Sequence, residues 1–291
     1  MKDTVKYALL FVAIKALAIW PYWMLHAFSS LLCPLVYHVV RYRRRVTRKN
    51  LLNAFPEKSE SEIVKVEKAF YRHFCDYLVE TIKLMHISDE QMRRHLRFTN
   101  PELLEALRAD GRPIFLYLGH QGNWEYVISI SLWIPSELKG VQIYHPLRNK
   151  AMDRLMYNLR SRFNTVGVPQ KQALRYVIEQ VRDGKPIILG LIADQRPARR
   201  PEPEWMTFLN QDTPIITGGE AMGRKLNAHF LYGSMKCVRR GYYEITLEEI
   251  VPIEGESNSY SKQYMRMLEK DIITQPHMWL WTHNRWSMKR Q

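Results

Sequence analysis

The chain is poor in cysteine: three in 291 residues, Cys33, Cys75 and Cys237, far apart and odd in number. They exclude a disulfide framework, and no C-x-x-C pair is present to hold zinc. A reducing, cytoplasm-facing compartment fits. Neither G-x-G-x-x-G nor G-x4-G-K-[ST] occurs, which removes the usual phosphate-cradling nucleotide loops. The serine-hydrolase string G-x-S-x-G is missing as well. No H-E-x-x-H pair is present, and His277 and His283 stand six apart without a cysteine nearby, so the expectation is metal-independent chemistry without a cofactor. There is no internal repeat and no low-complexity tract. Hydrophobic residues at 46% and charged residues at 25% describe a globular chain rather than a disordered one.

Acidic residues are also scarce relative to basic ones. With 43 Lys+Arg against 29 Asp+Glu the net charge is +14, which favours anionic partners such as a lipid headgroup surface, a phosphorylated ligand or an acidic carrier protein. The excess is local. Residues 41–49 (Arg-Tyr-Arg-Arg-Arg-Val-Thr-Arg-Lys) contain no acid, and the stretch before them, Ala16 to Val40, contains no Asp, Glu, Lys or Arg at all. A bilayer span needs about 20 mostly apolar residues, so the length suffices. Pro21 and Pro34 would kink a helix there, and His26 and His38 lower its hydrophobicity. A cleaved signal peptide is not expected, because no small-residue cleavage site follows the apolar core. The segment reads as a membrane anchor, either one span with its basic flank in the cytoplasm or a kinked hairpin lying in one leaflet. A nucleic-acid partner is not expected, because the basic run adjoins apolar sequence and no zinc-finger or RNP-type signature accompanies it.

The organisation expected is a membrane-anchoring segment with its basic flank over 1–45 and a single α/β domain over 46–291. Ser59-Glu-Ser-Glu62 has the form of a capping box, and Ile63, Val66, Phe70, Phe74, Tyr77 and Thr81 recur behind it at helical spacing. Pro113 to Gly119 and Pro186 to Ala193 are short apolar runs of the kind that form buried strands, and Gly140 to Tyr144 is a third strand. Helices are expected over 123–133, 152–163, 172–182, 219–226 and 259–273, with strand-like runs over 229–238 and 242–251. Strands alternating with helices predict an α/β fold with a mainly parallel sheet flanked by helices. Ligands in such folds sit beyond the carboxyl ends of the strands. Three polar clusters fall there: His120, His145 to Asn149, and Asp194-Gln195-Arg196.

Gly119-His-Gln-Gly-Asn-Trp-Glu125 places a turn and a helix start after a strand. Such a turn can set an imidazole beside a carboxylate, so that the ring takes a proton from a hydroxyl. Ten histidines and 29 acids in 291 residues make one His-x4-acid match expected by chance, so the spacing has no weight of its own. Asn123 would serve equally as a helix N-cap and Glu125 as a first-turn acid.

The full set of strings is more specific. His120-Gln-Gly-Asn-Trp-Glu125 resembles the His-x4-Asp/Glu block of the bacterial lipid A late acyltransferase family. Asn50-Leu-Leu-Asn-Ala-Phe-Pro56, Arg148-Asn149 before a helix, and Ala193-Asp-Gln195 followed by Thr207-Phe208 and Gly218-Gly219 are similar to its further blocks. Gln275-Pro-His-Met-Trp-Leu-Trp-Thr-His-Asn-Arg-Trp286 is similar to its closing motif. The chain departs from the pattern at Arg196 to Pro203 and between Thr207 and Gly218. The resemblance, from about residue 5 to 286, implies a glycerolipid-acyltransferase-like fold with an N-terminal apolar anchor. It implies transfer of a fatty acyl group from an acyl carrier protein thioester to a hydroxyl of a lipid A precursor, at the cytoplasmic side of the bacterial inner membrane. His120 would be the general base and Glu125 its orienting carboxylate. Asn123, Arg148, Asn149, Asp194, Gln195 and Arg285 would bind or position substrate, with Arg148 and Arg285 suited to phosphate. Trp279, Trp281 and Trp286 would either fill the core or line an acyl groove. The competing readings are another glycolipid or lysophospholipid acceptor, a thioesterase, and a membrane-surface binding protein without catalysis.

Overall fold

A computed structural model describes residues 2–147, 149–198 and 202–290. The chain opens with two helices, α1 (Lys2–Ile19) and α2 (Tyr22–Pro34), broken at Pro21, which has no N–H to continue the first. Pro34 ends α2, and a widened helical turn, Leu35–Val40, carries the chain to Arg41 and Arg43, both left-handed (φ 51° and 50°). The basic run then forms α3 (Arg44–Ala54). The capping box at Ser59 is present and starts the long helix α4 (Glu60–Lys83).

α5 (Asp89–His95), β1 (Leu96–Phe98) and α6 (Glu102–Arg108) lead into β2 (Ile114–Leu118). β3 (Lys139–Tyr144), α7 (Lys150–Arg160), β4 (Val166–Pro169), α8 (Ala173–Arg182) and β5 (Ile187–Ile192) follow as strand–helix alternation. β6 (Trp205–Phe208) and β7 (Gln211–Pro214) make a separate hairpin. α9 (Gly218–Lys225), β8 (His229–Arg239), β9 (Tyr242–Glu249) and α10 (Ser259–Thr274) complete the chain before the closing segment. The main sheet runs β1-β9-β8-β2-β5-β3-β4, and every neighbouring pair is parallel except β8 with β9. The fold is therefore α/β, as the alternating runs predict. Apolar side chains from both faces of the sheet build two core layers, one holding Phe115, Tyr117, Leu189 and Trp281, the other Leu116, Leu118, Ile188 and Ile245.

One expected α-helix differs. Residues Trp124–Leu132 form a 3₁₀ helix. Its β-branched and aromatic composition disfavours a regular α-helix, and burial of Glu125 to Ile130 leaves packing to decide the geometry.

The apolar N-terminal helices are packed on α4 through polar groups along their length. The Lys83 ammonium donates to the carbonyls of Ala18 (3.1 Å) and Trp20 (2.9 Å). Tyr22 and Tyr126 share a hydrogen bond (2.9 Å). His26 Nε2 meets the buried Glu80 (2.9 Å), and Ser29 donates to Asp76 (2.6 Å). Arg240 grips the same Asp76 with two nitrogens (2.8 and 2.6 Å) and donates to the His26 carbonyl (2.9 Å).

Candidate active site

The site is a consequence of strand register. Leu118, the last residue of β2, pairs with Ile192, the last residue of β5. Two residues further along each parallel strand come His120 and Asp194, and these two side chains meet. His120 Nδ1 lies 2.5 Å from Asp194 Oδ1. Asp194 Oδ2 accepts from the His120 backbone N–H (2.9 Å) and from the Trp279 indole N–H (2.7 Å). Burial alone would raise the Asp194 carboxyl. The imidazole beside it and these donors together outweigh that and hold it below the usual carboxylate range. With Nδ1 committed to a carboxylate, the imidazole is in its Nδ1–H tautomer and the Nε2 lone pair is free to accept. Nε2 accepts from the Gln195 amide at 3.1 Å. The imidazole remains partly open to solvent, at 18% side-chain exposure, while Asp194 is buried. A basic nitrogen at the surface, oriented from behind by a buried carboxylate, is the arrangement that takes a proton from a hydroxyl.

The turn that carries His120 is held by the closing segment. Leu280 N donates to the His120 carbonyl and Gly122 N to the Met278 carbonyl, each at 3.0 Å. Gly122 is left-handed (φ 61°), and a Cβ there would lie 2.5 Å from Met235 Sδ, so glycine is required for both backbone and space. Trp124 stands edge-on to the His120 ring (5.2 Å between centroids) and stacks on Tyr77 of α4 (4.1 Å). Between α4 and this turn lies a narrow apolar crevice lined by Phe70, Phe74, Tyr77, Trp124, Met278 and Trp279. A roomier cavity lined by Ser131, Leu132, Arg162 and Phe163 contains none of these groups, and the Ser131 hydroxyl in it donates to the Phe163 carbonyl.

Several expected positions require correction. Glu125 does not orient His120. Both its oxygens accept from Arg160 (2.9 and 2.6 Å) at the end of α7, and the Nδ1 position it would need is occupied by Asp194. The Asn123 side chain does not cap the following helix. It is fully buried and its amide donates to Glu80 Oε2 (3.0 Å), which also accepts from Tyr243 (2.9 Å). Arg285 is not at a phosphate-accessible surface. It is 0% exposed, it donates to the Pro214 carbonyl (2.6 Å), and burial lowers its pKa to about 10. Trp279 and Trp281 are core residues, and Trp286, partly buried, donates to Thr213 (2.7 Å). Asn149 starts α7, its Oδ1 accepting from Met152 N (3.1 Å). Arg148 lies outside the described residues. Asp194 and Gln195, expected to position Arg148 or the acceptor, instead bracket the two nitrogens of His120.

Three residues that shape the site were not singled out for their roles by the sequence. Trp279 was visible in the closing motif, but its role as a donor to Asp194 was not. Arg160 carried no signal beyond ending a helix. Glu80 did carry one, since an acid beside Tyr77 and Thr81 falls on the apolar face of α4. Replacing Trp279 with Phe keeps most of the ring volume and removes one donor to Asp194. We expect kcat to fall about tenfold at nearly unchanged KM, measured by steady-state kinetics, since one neutral-to-charged hydrogen bond is worth about 1.5–3 kcal/mol and only part of it acts in the transition state.

The α/β sheet thus carries a His–Asp pair at the carboxyl ends of adjacent strands, an arrangement suited to acid–base chemistry. Sequence comparison supplies the family. The model of bacterial lipid A biosynthesis acyltransferases matches residues 2–288, and the chain belongs to that family. Two relatives align over 98% of this chain and 92% of their own length at 21% identity: the lipid A biosynthesis palmitoleoyltransferase of Escherichia coli (strain K12) and the lipid A biosynthesis acyltransferase of Shigella flexneri. Family and relatives alike indicate an acyltransferase.

Proposed function

We propose that this protein transfers a fatty acyl group from an acyl carrier protein thioester to a hydroxyl of a lipid A precursor, with His120 as general base and Asp194 as its orienting carboxylate. The observation that carries the reading is the buried Asp194 on Nδ1 of a partly exposed His120. The acceptor hydroxyl displaces the Gln195 amide from Nε2 and gives its proton to the ring as its oxygen attacks the thioester carbon. The C–O ester bond forms, the C–S bond breaks, and the imidazolium returns its proton to the leaving thiolate. Asp194 stabilises the imidazolium that exists between the two transfers.

The same proposal takes the 46–291 region as a glycerolipid-acyltransferase-like catalytic domain and residues 1–45 as its attachment to the cytoplasmic side of the inner membrane. The net charge of +14 suits an acidic carrier and anionic headgroups alike. The test is mass spectrometry of a reconstituted reaction with acyl carrier protein thioesters of several chain lengths and a lipid A precursor. The expected result is a precursor heavier by one acyl group, absent with His120→Ala, whose rate should fall by at least about a thousandfold. Free fatty acid without acylated lipid would replace transfer by thioester hydrolysis.

A further inference from the structure

The stretch Tyr22–Val40 is long and apolar enough to cross a bilayer, at 19 residues. With a rise of about 1.5 Å per residue it would extend about 28 Å, close to the hydrocarbon thickness of about 30 Å. Its two faces are nevertheless unlike. The inward face carries the tethers to α4, from Ala18 to Ser29, and continues to Tyr37, whose ring packs on Tyr71. The outward face repeats every fourth residue as Trp23, Ala27, Leu31, Leu35 and Val39, all exposed, with Trp23 at 72%, Leu31 at 77% and Val39 at 71%. Each step of four advances only about 40° around an α-helix, and the wider turn after Pro34 rotates the other way, so these residues form one slanting strip. Directly after this stripe come Arg41, Arg43, Arg45 and Lys49, also exposed, whereas Arg44 and Arg48 turn inward to pair with buried Glu67.

We propose that α2 and the turn after it do not span the membrane but lie along its surface in one leaflet, the Trp23–Leu31–Val39 stripe among acyl chains and the exposed arginines on anionic headgroups. The inference rests on the membrane attachment proposed for residues 1–45 and not on acyl transfer. A spanning α2 would have either to abandon Glu80 and Asp76, both buried, or to draw them and Arg240 into hydrocarbon. The first gives up the His26–Glu80 and Ser29–Asp76 contacts, and the second places ionised groups in hydrocarbon. Lying flat keeps every tether and still buries the apolar stripe. Charge complementarity selects the partner, because four cations beside an apolar ridge match an anionic lipid surface. Arg43 also donates to the Thr282 carbonyl (3.1 Å), two residues beyond Leu280, which holds His120. The exposed basic run is thereby tied to the closing segment that holds the His120 turn.

Depth measurement tests the geometry. A fluorophore is attached at Trp23→Cys, Leu31→Cys or Val39→Cys, with Cys33, Cys75 and Cys237 replaced by alanine. The full chain is bound to phosphatidylcholine–phosphatidylglycerol vesicles holding nitroxide quenchers at different acyl depths. Equal, shallow depth at the three positions is expected. A label at Leu31 near the bilayer centre, with the other two near opposite faces, would overturn the proposal. Flotation with the native cysteines retained is the second measure. Leu31→Glu should lower vesicle binding at least about tenfold, since a charge replaces a buried leucine. Phosphatidylcholine vesicles alone should bind more weakly than the anionic mixture. Unchanged binding by Leu31→Glu would remove the stripe as the contact, and equal binding to both vesicles would remove the arginines. None of these readouts needs turnover, so a failure of acyl transfer leaves them interpretable.

Discussion

An Asp194→Asn protein should fold normally and lose about a thousandfold to ten-thousandfold in kcat, in line with the loss of an orienting carboxylate in other imidazole-based sites. The size follows from what Asp194 does. Its Oδ1 fixes the Nδ1–H tautomer, and its Oδ2 accepts two N–H donors, one from the His120 backbone and one from Trp279. An asparagine can satisfy only one of those edges as an acceptor. Its amide N–H then faces either the ring nitrogen, forcing the wrong tautomer, or the two donors. It also carries no charge to stabilise the imidazolium. The informative comparison is Glu125→Gln. Because Glu125 pairs with Arg160, its loss should act on the fold, lowering stability by about 2–3 kcal/mol as a largely buried guanidinium loses its partner. The kcat of the folded fraction should change far less than in Asp194→Asn. Steady-state kinetics beside a urea melt separates the two effects. If Glu125→Gln proved the slower enzyme at full stability, the orienting role would pass from Asp194 to Glu125.

The second large effect is on stability. Glu80→Ala should destabilise the protein by about 3–5 kcal/mol and lower Tm by about 10 °C, because His26, Asn123 and Tyr243 all lose a buried carboxylate partner at once. Calorimetry measures it. A double-mutant cycle with His26→Ala should show a coupling above about 1 kcal/mol, since the two side chains are in direct contact. The pH dependence has a definite sign. Burial works to raise the Glu80 carboxyl, but bonds from His26 and Asn123 and the nearby imidazoles outweigh it, so its folded pKa lies below the unfolded value of about 4.3. Its stabilising contribution is therefore complete above about pH 4.3 and is lost as pH falls through the lower, folded value. The acid-side loss should be smaller in Glu80→Ala than in wild type, the remainder coming from other depressed carboxyls such as Asp194. Glu80 also joins the N-terminal helices to the turn after His120, through His26 on one side and Asn123 on the other, so some loss of activity should accompany the loss of stability.

Most of the architecture was legible along the chain because its signals are local. Pro113 to Gly119 and Pro186 to Ala193 are apolar on both faces, which suits only a strand covered on both sides, and they are β2 and β5. Ser59 to Glu62 states a capping box, and the box starts α4. The turn after His120 was less legible. A helix was readable there, but its 3₁₀ form was not, because the spacing of apolar residues over so short a run does not distinguish the two once both faces are buried. Glu125 was expected to orient His120 through the resemblance to a His-x4-acid block, the spacing itself having no weight. Asp194 lies 74 residues away, and nothing in the local pattern joins them.

The class of fold, the family, the presence of His120 at a strand end and the boundary between an apolar segment and its arginines are all readable along the chain. These are properties of composition, period and motif, each contained in a short window. Three-dimensional packing settles which carboxylate meets the histidine, that Glu125, Asn123 and Arg285 are interior residues, and that α2 has one face tied to the α/β layers and one left bare. Those outcomes depend on the β2–β5 register and on the packing of α2 against α4. Register and packing bring together groups far apart in the chain, and the burial of each charge is set by every element around it rather than by its neighbours in sequence.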